Sequence, residues 1–126
     1  MSSLVLVDTS AWIRAYAAVQ PYRDVVDRLL QDDRVIGHDF IYGELLIGDK
    51  GARSKLLAVY EAAFRRAPVV AHTEVVDLVR LRKLFGCGIG WIDAHLLAAA
   101  LVNHALIYTA DKPLVACAKR LGVVYS

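Results

Sequence analysis

The stretch LVLVDTS at residues 4–10 places an acid directly after a short, wholly apolar run. Residues 4–7 are only leucine and valine, which is typical of a strand buried on both faces of a parallel sheet. Asp8 ends this run where a helix is expected to begin, and Thr9 or Ser10 could cap that helix. A charge beside buried surface is costly unless it is paired or bound to a cation, so Asp8 needs a structural or functional reason.

Three other acids have the same apolar context. Glu44 lies inside FIYGELLI at residues 40–47, Asp93 opens an apolar run at residues 92–101, and Asp111 follows the strand-like ALIYTA at residues 105–110. Four carboxylates in such positions suggest one shared cation site. Oxygen ligands of this kind select hard cations, and Mg²⁺ or Mn²⁺ is therefore expected.

Short apolar segments alternate with helical patterns along the chain. This alternation predicts an α/β fold with a mostly parallel central sheet covered by helices on both faces. The predicted strands are residues 4–7, 34–37, 68–70, 106–109 and 123–125. The predicted helices are residues 11–19, a second starting at Pro21, 39–47 with Asp39 as cap, 54–66, 73–85, 92–103 and 113–121. Ligands bind at the carboxyl ends of such strands, where Asp8 and Asp111 are expected to meet.

Length and composition indicate one folded domain spanning residues 1–126. The hydrophobic fraction is 57%, the charged fraction is 22% and the formal net charge is +2. These values argue against disorder and are too mild to identify a nucleic-acid partner. Cys87 and Cys117 have neither disulfide-framework nor zinc-site spacing, and no apolar run approaches a membrane span. A cytoplasmic protein without membrane association is expected.

The acidic set favours metal-assisted hydrolysis of a phosphodiester. Converging carboxylates repel one another without a cation, and a bound divalent ion can activate water and neutralise a scissile phosphate. The chain has no G-x-S-x-G elbow, no recognised Cys–His spacing and no P-loop. Four acids could hold one ion or two, and the ligand count does not decide between these.

Four motifs carry a resemblance to a known family. They are VDTSAW at residues 7–12, GELLIG at 43–48, WIDAHLLAAA at 91–100 and YTADK at 108–112. In this order they resemble the signature of PIN-domain ribonucleases of the VapC toxin group. The resemblance implies a PIN-like three-layer sandwich with a short, mostly parallel sheet between helices.

The same resemblance implies function and site residues. It implies a metal-dependent endoribonuclease, the toxin component of a VapBC-like toxin–antitoxin system, with an RNA substrate, a VapB-like antitoxin partner and a homodimer. Carried over by position, the catalytic and metal-binding residues are Asp8, Glu44, Asp93 and Asp111. Thr9 and Ser10 would support them through their hydroxyl groups.

The sequence alone does not exclude a purely structural role for each of these residues. Asp8 and Asp93 could be helix caps, and Glu44 could face solvent. Asp111 could be a turn residue before a proline. The basic cluster Arg80, Arg82 and Lys83 is either a solvated helix face or an RNA phosphate contact beside the glycine-rich loop at residues 86–90.

The two tryptophans, Trp12 and Trp91, are expected in the core or at an interface rather than as base-stacking platforms. Two other functions also remain. One is a receiver-like acidic signalling domain, although the region from Asp39 to Arg66 looks helical and lacks the central strand–Asp unit of receivers. The other is a non-catalytic PIN module that binds RNA or protein.

Overall fold

A short parallel sheet organises the computed structural model, which describes residues 2–126. Strand β1 (Val5–Val7) pairs with β2 (Leu106–Tyr108), so that Val5 lies opposite Leu106 and Val7 opposite Tyr108. All three residues of β1 are buried, as an apolar strand between two layers requires. Because the pairing is parallel, the residues that follow both strands emerge at the same edge.

Helices flank this sheet on the rest of the chain. In chain order they are α1 (Thr9–Tyr16), α2 (Tyr22–Gln31), α3 (Asp39–Ile47), α4 (Ser54–Ala63), α5 (His72–Leu81), α6 (Trp91–Asn103) and α7 (Lys112–Arg120). The architecture is therefore α/β, as the alternating pattern predicts. No helix within residues 2–126 is long and apolar enough to cross a bilayer.

The predicted strands at residues 34–37 and 123–125 are reduced to isolated bridges, and the predicted strand at residues 68–70 is wrong because that segment forms neither strand nor bridge. Val35 pairs with Val5, Val124 with Ile107, and Gly37 with Arg66, all in parallel. The third bridge forms before the predicted segment at residues 68–70, because Pro68 has no N–H to donate to a ladder. These bridges widen the sheet on both sides of β1 and β2 without adding regular strands.

Several helix ends differ from the predicted bounds. α1 begins at Thr9 with Asp8 in the N-cap position, and α3 is capped by His38 rather than Asp39. The Nδ1 atom of His38 accepts the Phe40 N–H at 3.0 Å, which leaves Asp39 inside the helix. α5 ends at Leu81 instead of Phe85, and a left-handed turn follows at Lys83, where φ is 54°.

α6 forms much of the core and carries one of the four acids. Seven consecutive residues, Ala94 to Ala100, are buried. Apart from His95, their side chains are alanine or leucine, which let the helix pack closely in the interior. Asp93 lies one residue before this run, so the packing of α6 fixes where its carboxylate lies.

Candidate metal centre

Asp8 is positioned by the end of β1 and tethered by hydroxyl groups. Its side chain is buried, and its Oδ2 atom accepts hydrogen bonds from Ser10 Oγ at 2.8 Å and Thr109 Oγ1 at 2.8 Å. Its carboxylate makes no capping bond to α1 although Asp8 holds the N-cap position. The expected capping by Thr9 or Ser10 is therefore wrong, because both residues lie within the helix and their hydroxyls bond to acids instead.

Glu44 joins the same region from α3. Thr9 Oγ1 donates to Glu44 Oε1 at 2.8 Å, linking the first turn of α1 to the middle of α3. Glu44 is half-buried rather than facing open solvent. The two consecutive hydroxyl residues after β1 thus orient two different acids, Ser10 for Asp8 and Thr9 for Glu44.

Asp93 reports the charge of the whole cluster. Burial, together with the negative charges of Asp8, Asp111 and Glu44, raises the pKa of its carboxyl to about 6. A hydrogen bond from the Gly90 N–H to Asp93 Oδ2, at 3.2 Å, works in the opposite direction. All three other acids act on this carboxyl, so the fold brings the four predicted acids into one electrostatic field.

Asp111 and Thr109 complete the edge formed after β2. Asp111 is the N-cap of α7 and is half-buried, and its N–H donates to Thr109 Oγ1 at 3.0 Å. Thr109 is itself buried, and its hydroxyl connects Asp111 to Asp8. Thr109 is not among the residues that the sequence predicts for the site. Its signals in the sequence are its place in the motif YTADK at residues 108–112 and its position one residue after β2, where a third hydroxyl adjoins the acids.

The donor set fits a divalent cation by its chemistry. The ion pairs found within residues 2–126 are Arg23–Asp27 and Arg66–Asp39, and neither includes one of the four acids. Four carboxylates without a basic partner are an environment that an oxygen-seeking cation would stabilise. Within residues 2–126, no three His, Cys, Asp or Glu side chains are close enough together to hold one ion. The acids therefore converge without forming a closed ligand shell.

The basic cluster lies apart from this network. Arg80, Arg82 and Lys83 are exposed at the end of α5 and in the turn after it. Arg120 donates to the carbonyl of Arg82 at 2.6 Å, which fixes the turn against α7. In the described part of the chain, none of the three basic side chains hydrogen-bonds or ion-pairs with the four acids.

Fold and site together define an α/β domain with four acidic side chains near the carboxyl edge of a short parallel sheet. The family model described as PIN domain matches residues 5–120. The chain therefore belongs to the PIN-domain family, as its motifs indicate. The signalling-receiver alternative is excluded by this membership and by the two helices α3 and α4, which fill the region where a receiver has its central strand.

A relative of known name and a solved structure support the assignment to this family. The chain is 39% identical over 121 residues to Ribonuclease VapC32 of Mycobacterium tuberculosis, in strain CDC 1551 / Oshkosh and in strain ATCC 25618 / H37Rv, covering 95% of this chain and 94% of each relative. A crystal structure of PAE2754 from Pyrobaculum aerophilum shares the fold, with a TM-score of 0.59 at 18% identity, over 95% of this chain and 90% of that one. The chain is a PIN-domain protein of the VapC ribonuclease type.

Proposed function

We propose that this chain is the endoribonuclease toxin of a VapBC-like system and hydrolyses RNA phosphodiester bonds with Mg²⁺ or Mn²⁺. Asp8, Glu44, Asp93 and Asp111 would hold the ion. The observation that carries the proposal is the hydroxyl network in which Thr9 bonds to Glu44 and both Ser10 and Thr109 bond to Asp8, without a basic partner for these acids among the described residues. Hard oxygen ligands favour these two ions over the softer transition metals.

The ion would supply an activated water and charge neutralisation at the scissile phosphate. The chain's own residues do the positioning. Ser10 and Thr109 fix the direction of Asp8 Oδ2, and Thr9 fixes Glu44 Oε1. Positioning of this kind lets groups act without reorganising during the reaction.

Protonation of Asp93 sets a pH limit on this site. Because its pKa is raised to about 6, the Asp93 carboxyl is protonated in a large fraction of the protein molecules under mildly acidic conditions. A protonated carboxyl is a poor cation ligand, so activity should rise as the pH increases through about 6. Bound cation would move this transition to lower pH, because it favours the ionised carboxylate.

Cleavage of cellular RNA by the purified protein tests the proposal. Discrete fragments should appear with Mg²⁺ or Mn²⁺, disappear with EDTA, and fall about 100-fold or more in Asp8→Asn or Asp111→Asn. Asp77→Asn is the matched control, because Asp77 is an exposed acid on α5 outside the cluster. Equal cleavage by wild type and Asp8→Asn would reject the site. A folded, cation-binding protein that cleaves no RNA would favour the non-catalytic module.

A groove between α1 and α2 of this chain is a suitable binding surface for the antitoxin. A groove of about 300 Å³ is lined by Trp12, Ala15, Tyr16, Arg23, Val26, Asp27 and Leu30. Tyr16 and Leu30 are substantially exposed although both are apolar enough to prefer burial. We propose that an amphipathic antitoxin segment buries them, its apolar face in the groove and its polar groups near Arg23 and Asp27.

Co-purification with the antitoxin encoded beside this chain tests that surface. Leu30→Glu should prevent complex formation and leave cleavage by the free protein unchanged, whereas Val59→Glu on the exposed side of α4 should leave the complex intact. A Leu30→Glu protein that still binds the antitoxin would place the interface elsewhere.

A homodimer is proposed from family membership alone, and no surface is assigned to it. Light scattering during size-exclusion chromatography would measure the mass in solution. A mass near twice the 13.9 kDa of the chain is expected, and a mass of one chain at micromolar protein concentration would reject the proposal.

A further inference from the structure

An exposed tryptophan begins α6, the helix that carries Asp93. Trp91, the first residue of α6, is 44% exposed, in contrast to Trp12, which is 2% exposed in the core. The position of Trp12 agrees with the expectation for both tryptophans, whereas Trp91 leaves an aromatic face open to solvent. Its neighbour Gly90 donates a hydrogen bond to Asp93, but residues two apart on a helix point to different faces, so the Trp91 ring and the Asp93 carboxylate leave α6 on different sides.

The Trp91 ring is held by two imidazoles. Its centroid lies 5.1 Å from His95, edge to face, and 5.2 Å from His72 at an interplanar angle of 53°. His95 is buried and packs in turn on Phe40 at 4.9 Å. Edge-to-face contacts at these distances restrict the ring, which therefore offers a fixed platform rather than a mobile side chain.

A shallow apolar groove adjoins this platform. Its volume is about 140 Å³, and its walls include Val79 and Leu84, the loop residues Phe85 and Ile89, and Trp91. Phe85 is itself 64% exposed. A groove that exposes two aromatic rings has a flat apolar lining suited to a flat partner.

The charge around the groove identifies that partner. Residues 78–92 contain three cations, Arg80, Arg82 and Lys83, and no acid. A twofold contact between copies that is centred on the turn after α5 would place the same three cations opposite one another, which is unfavourable. An unpaired RNA strand matches both the aromatic groove and the basic cluster, because its flat bases can stack on the aromatic rings and its phosphates can contact the cations.

We propose that this groove is a nucleobase subsite, in which Trp91 stacks on an unpaired base of the RNA while the turn at residues 80–83 holds neighbouring phosphates. The inference rests on the proposed ribonuclease function and adds to it a preference for single-stranded RNA. Phe85 contributes the second aromatic contact.

Binding in EDTA tests the subsite separately from cleavage. The probes are a short fluorescent oligouridylate and an abasic sugar–phosphate strand of the same length, compared by fluorescence anisotropy over a range of salt. Wild type should prefer the strand that carries bases. Trp91→Ala should lower its affinity about 5- to 100-fold and remove the preference, with the salt dependence unchanged. Lys83→Gln should instead flatten the salt dependence, reducing its slope by about 0.7 for each phosphate that is no longer neutralised.

Matched variants separate stacking from structural damage. Trp91→Phe keeps an aromatic platform and should retain most of the binding, and Phe85→Ala should weaken it in the same sense as Trp91→Ala. Val102→Ala removes an exposed apolar side chain from the far end of α6 and should bind like wild type. Circular dichroism and thermal melting establish that each variant is folded.

Three outcomes would overturn the subsite. Wild type binding both probes equally would exclude base contacts, and unchanged binding by a folded Trp91→Ala would exclude this platform. A Trp91→Ala variant that loses a dimer in light scattering but keeps its preference for bases would show that the surface joins two copies. Cleavage measured in parallel with Mg²⁺ reports on the proposed function independently, because the binding assay needs no catalysis.

Discussion

At the residue scale, the sequence reveals the acids but not what orients them. Asp8, Glu44, Asp93 and Asp111 stand out because each interrupts or follows an apolar run, which is a local signal. The role of Thr109 depends on a hydrogen bond to a residue 101 positions away, and no local pattern encodes that contact. Hydroxyl groups are common at strand ends and helix starts, so their function becomes visible only when the strands pair.

Thr109→Val tests the tether on Asp8. The substitution keeps the shape of the side chain but removes its hydroxyl, which bonds to both Asp8 and the Asp111 N–H. Leaving buried polar groups without partners should cost about 1–3 kcal/mol of unfolding free energy. Misplacing Asp8 should lower cleavage about 10- to 100-fold, as with other groups that orient metal ligands.

Urea denaturation and initial cleavage rates measure the two effects of Thr109→Val. Thr109→Ser keeps a hydroxyl and should preserve most activity. Thr73→Val, at an exposed position in α5, controls for the loss of a hydroxyl elsewhere. Full activity in Thr109→Val would show that Asp8 needs no tether.

Asp93→Asn should stabilise the cation-free protein while abolishing cleavage. The pKa of Asp93 is raised to about 6, above that of an unfolded aspartate, so the ionised form is disfavoured in the fold. This penalty is absent below about pH 4 and complete above about pH 6, where asparagine removes it. A gain of about 1 kcal/mol would raise Tm by about 3–5 °C.

Melting curves of wild type and Asp93→Asn in EDTA, taken across this pH range, check that trade-off. The difference in Tm should grow as the pH rises from about 4 to above 6 and then stay constant. Asparagine can still accept the Gly90 N–H, so loss of the cap does not confound the comparison. A variant less stable than wild type at neutral pH would show that neither burial nor the other acids disfavour the ionised form of Asp93.

At the element scale, helices are predicted better than strands because their signal is local. The apolar segment that Gly48 ends and the one that follows the glycine-rich loop predict α3 and α6 to within a residue, whereas the segments at residues 34–37 and 123–125 form only isolated bridges. How far a strand extends depends on neighbours distant in sequence. Gly37 illustrates this, since its bridge to Arg66 exists only where α4 ends and the chain turns back.

Two glycine substitutions separate close approach from helix propensity. A Cβ atom on Gly37 would lie 3.2 Å from Phe64 Cβ and 3.2 Å from the Tyr60 ring, both part of the core, so Gly37→Ala should destabilise by about 1–3 kcal/mol. Gly43 lies within α3, and nothing lies within 4 Å of an added Cβ. Gly43→Ala should therefore stabilise by about 0.5–1 kcal/mol.

Chemical denaturation of both glycine variants gives the two free energies directly. The two changes in unfolding free energy should have opposite signs. Because both variants add the same methyl group, the difference must come from its surroundings. An unchanged free energy of unfolding in Gly37→Ala would mean that residues 35–37 can shift to make room for the methyl group. The contact between Gly37 and the end of α4 would then not determine where α3 and Glu44 lie.

At the scale of the whole molecule, alternation of strands and helices is enough to predict the architecture and the edge where the acids meet. Surfaces are less accessible to such reasoning, because exposure is a property of the assembled fold. Trp12 and Trp91 both adjoin motifs, yet one lies in the core and the other at the surface. The sequence offers no sign of that difference, and the groove beside Trp91 exists only once α5, α6 and the loop between them are packed.

The cation should couple folding to pH across the whole chain. Without it, ionising Asp93 destabilises the fold as the pH rises through about 6. With it, the ionised carboxylates become ligands, so stabilisation by Mg²⁺ should be small at about pH 5 and large at about pH 8. A cation present at about 100 times its dissociation constant adds about 2.7 kcal/mol to the free energy of unfolding. Cation and proton therefore compete for one cluster, and each displaces the other.

Thermal melts with Mg²⁺, and with NaCl at equal ionic strength, separate specific binding from screening. The increase in Tm caused by Mg²⁺ should grow with pH and vanish in Asp8→Asn, while NaCl should give the same small effect at both pH values. Calorimetric titration below about pH 6 should show protons released as Mg²⁺ binds. An equal Tm increase at about pH 5 and about pH 8 would mean that the cation binds away from Asp93, because only a ligand that loses a proton links the two equilibria.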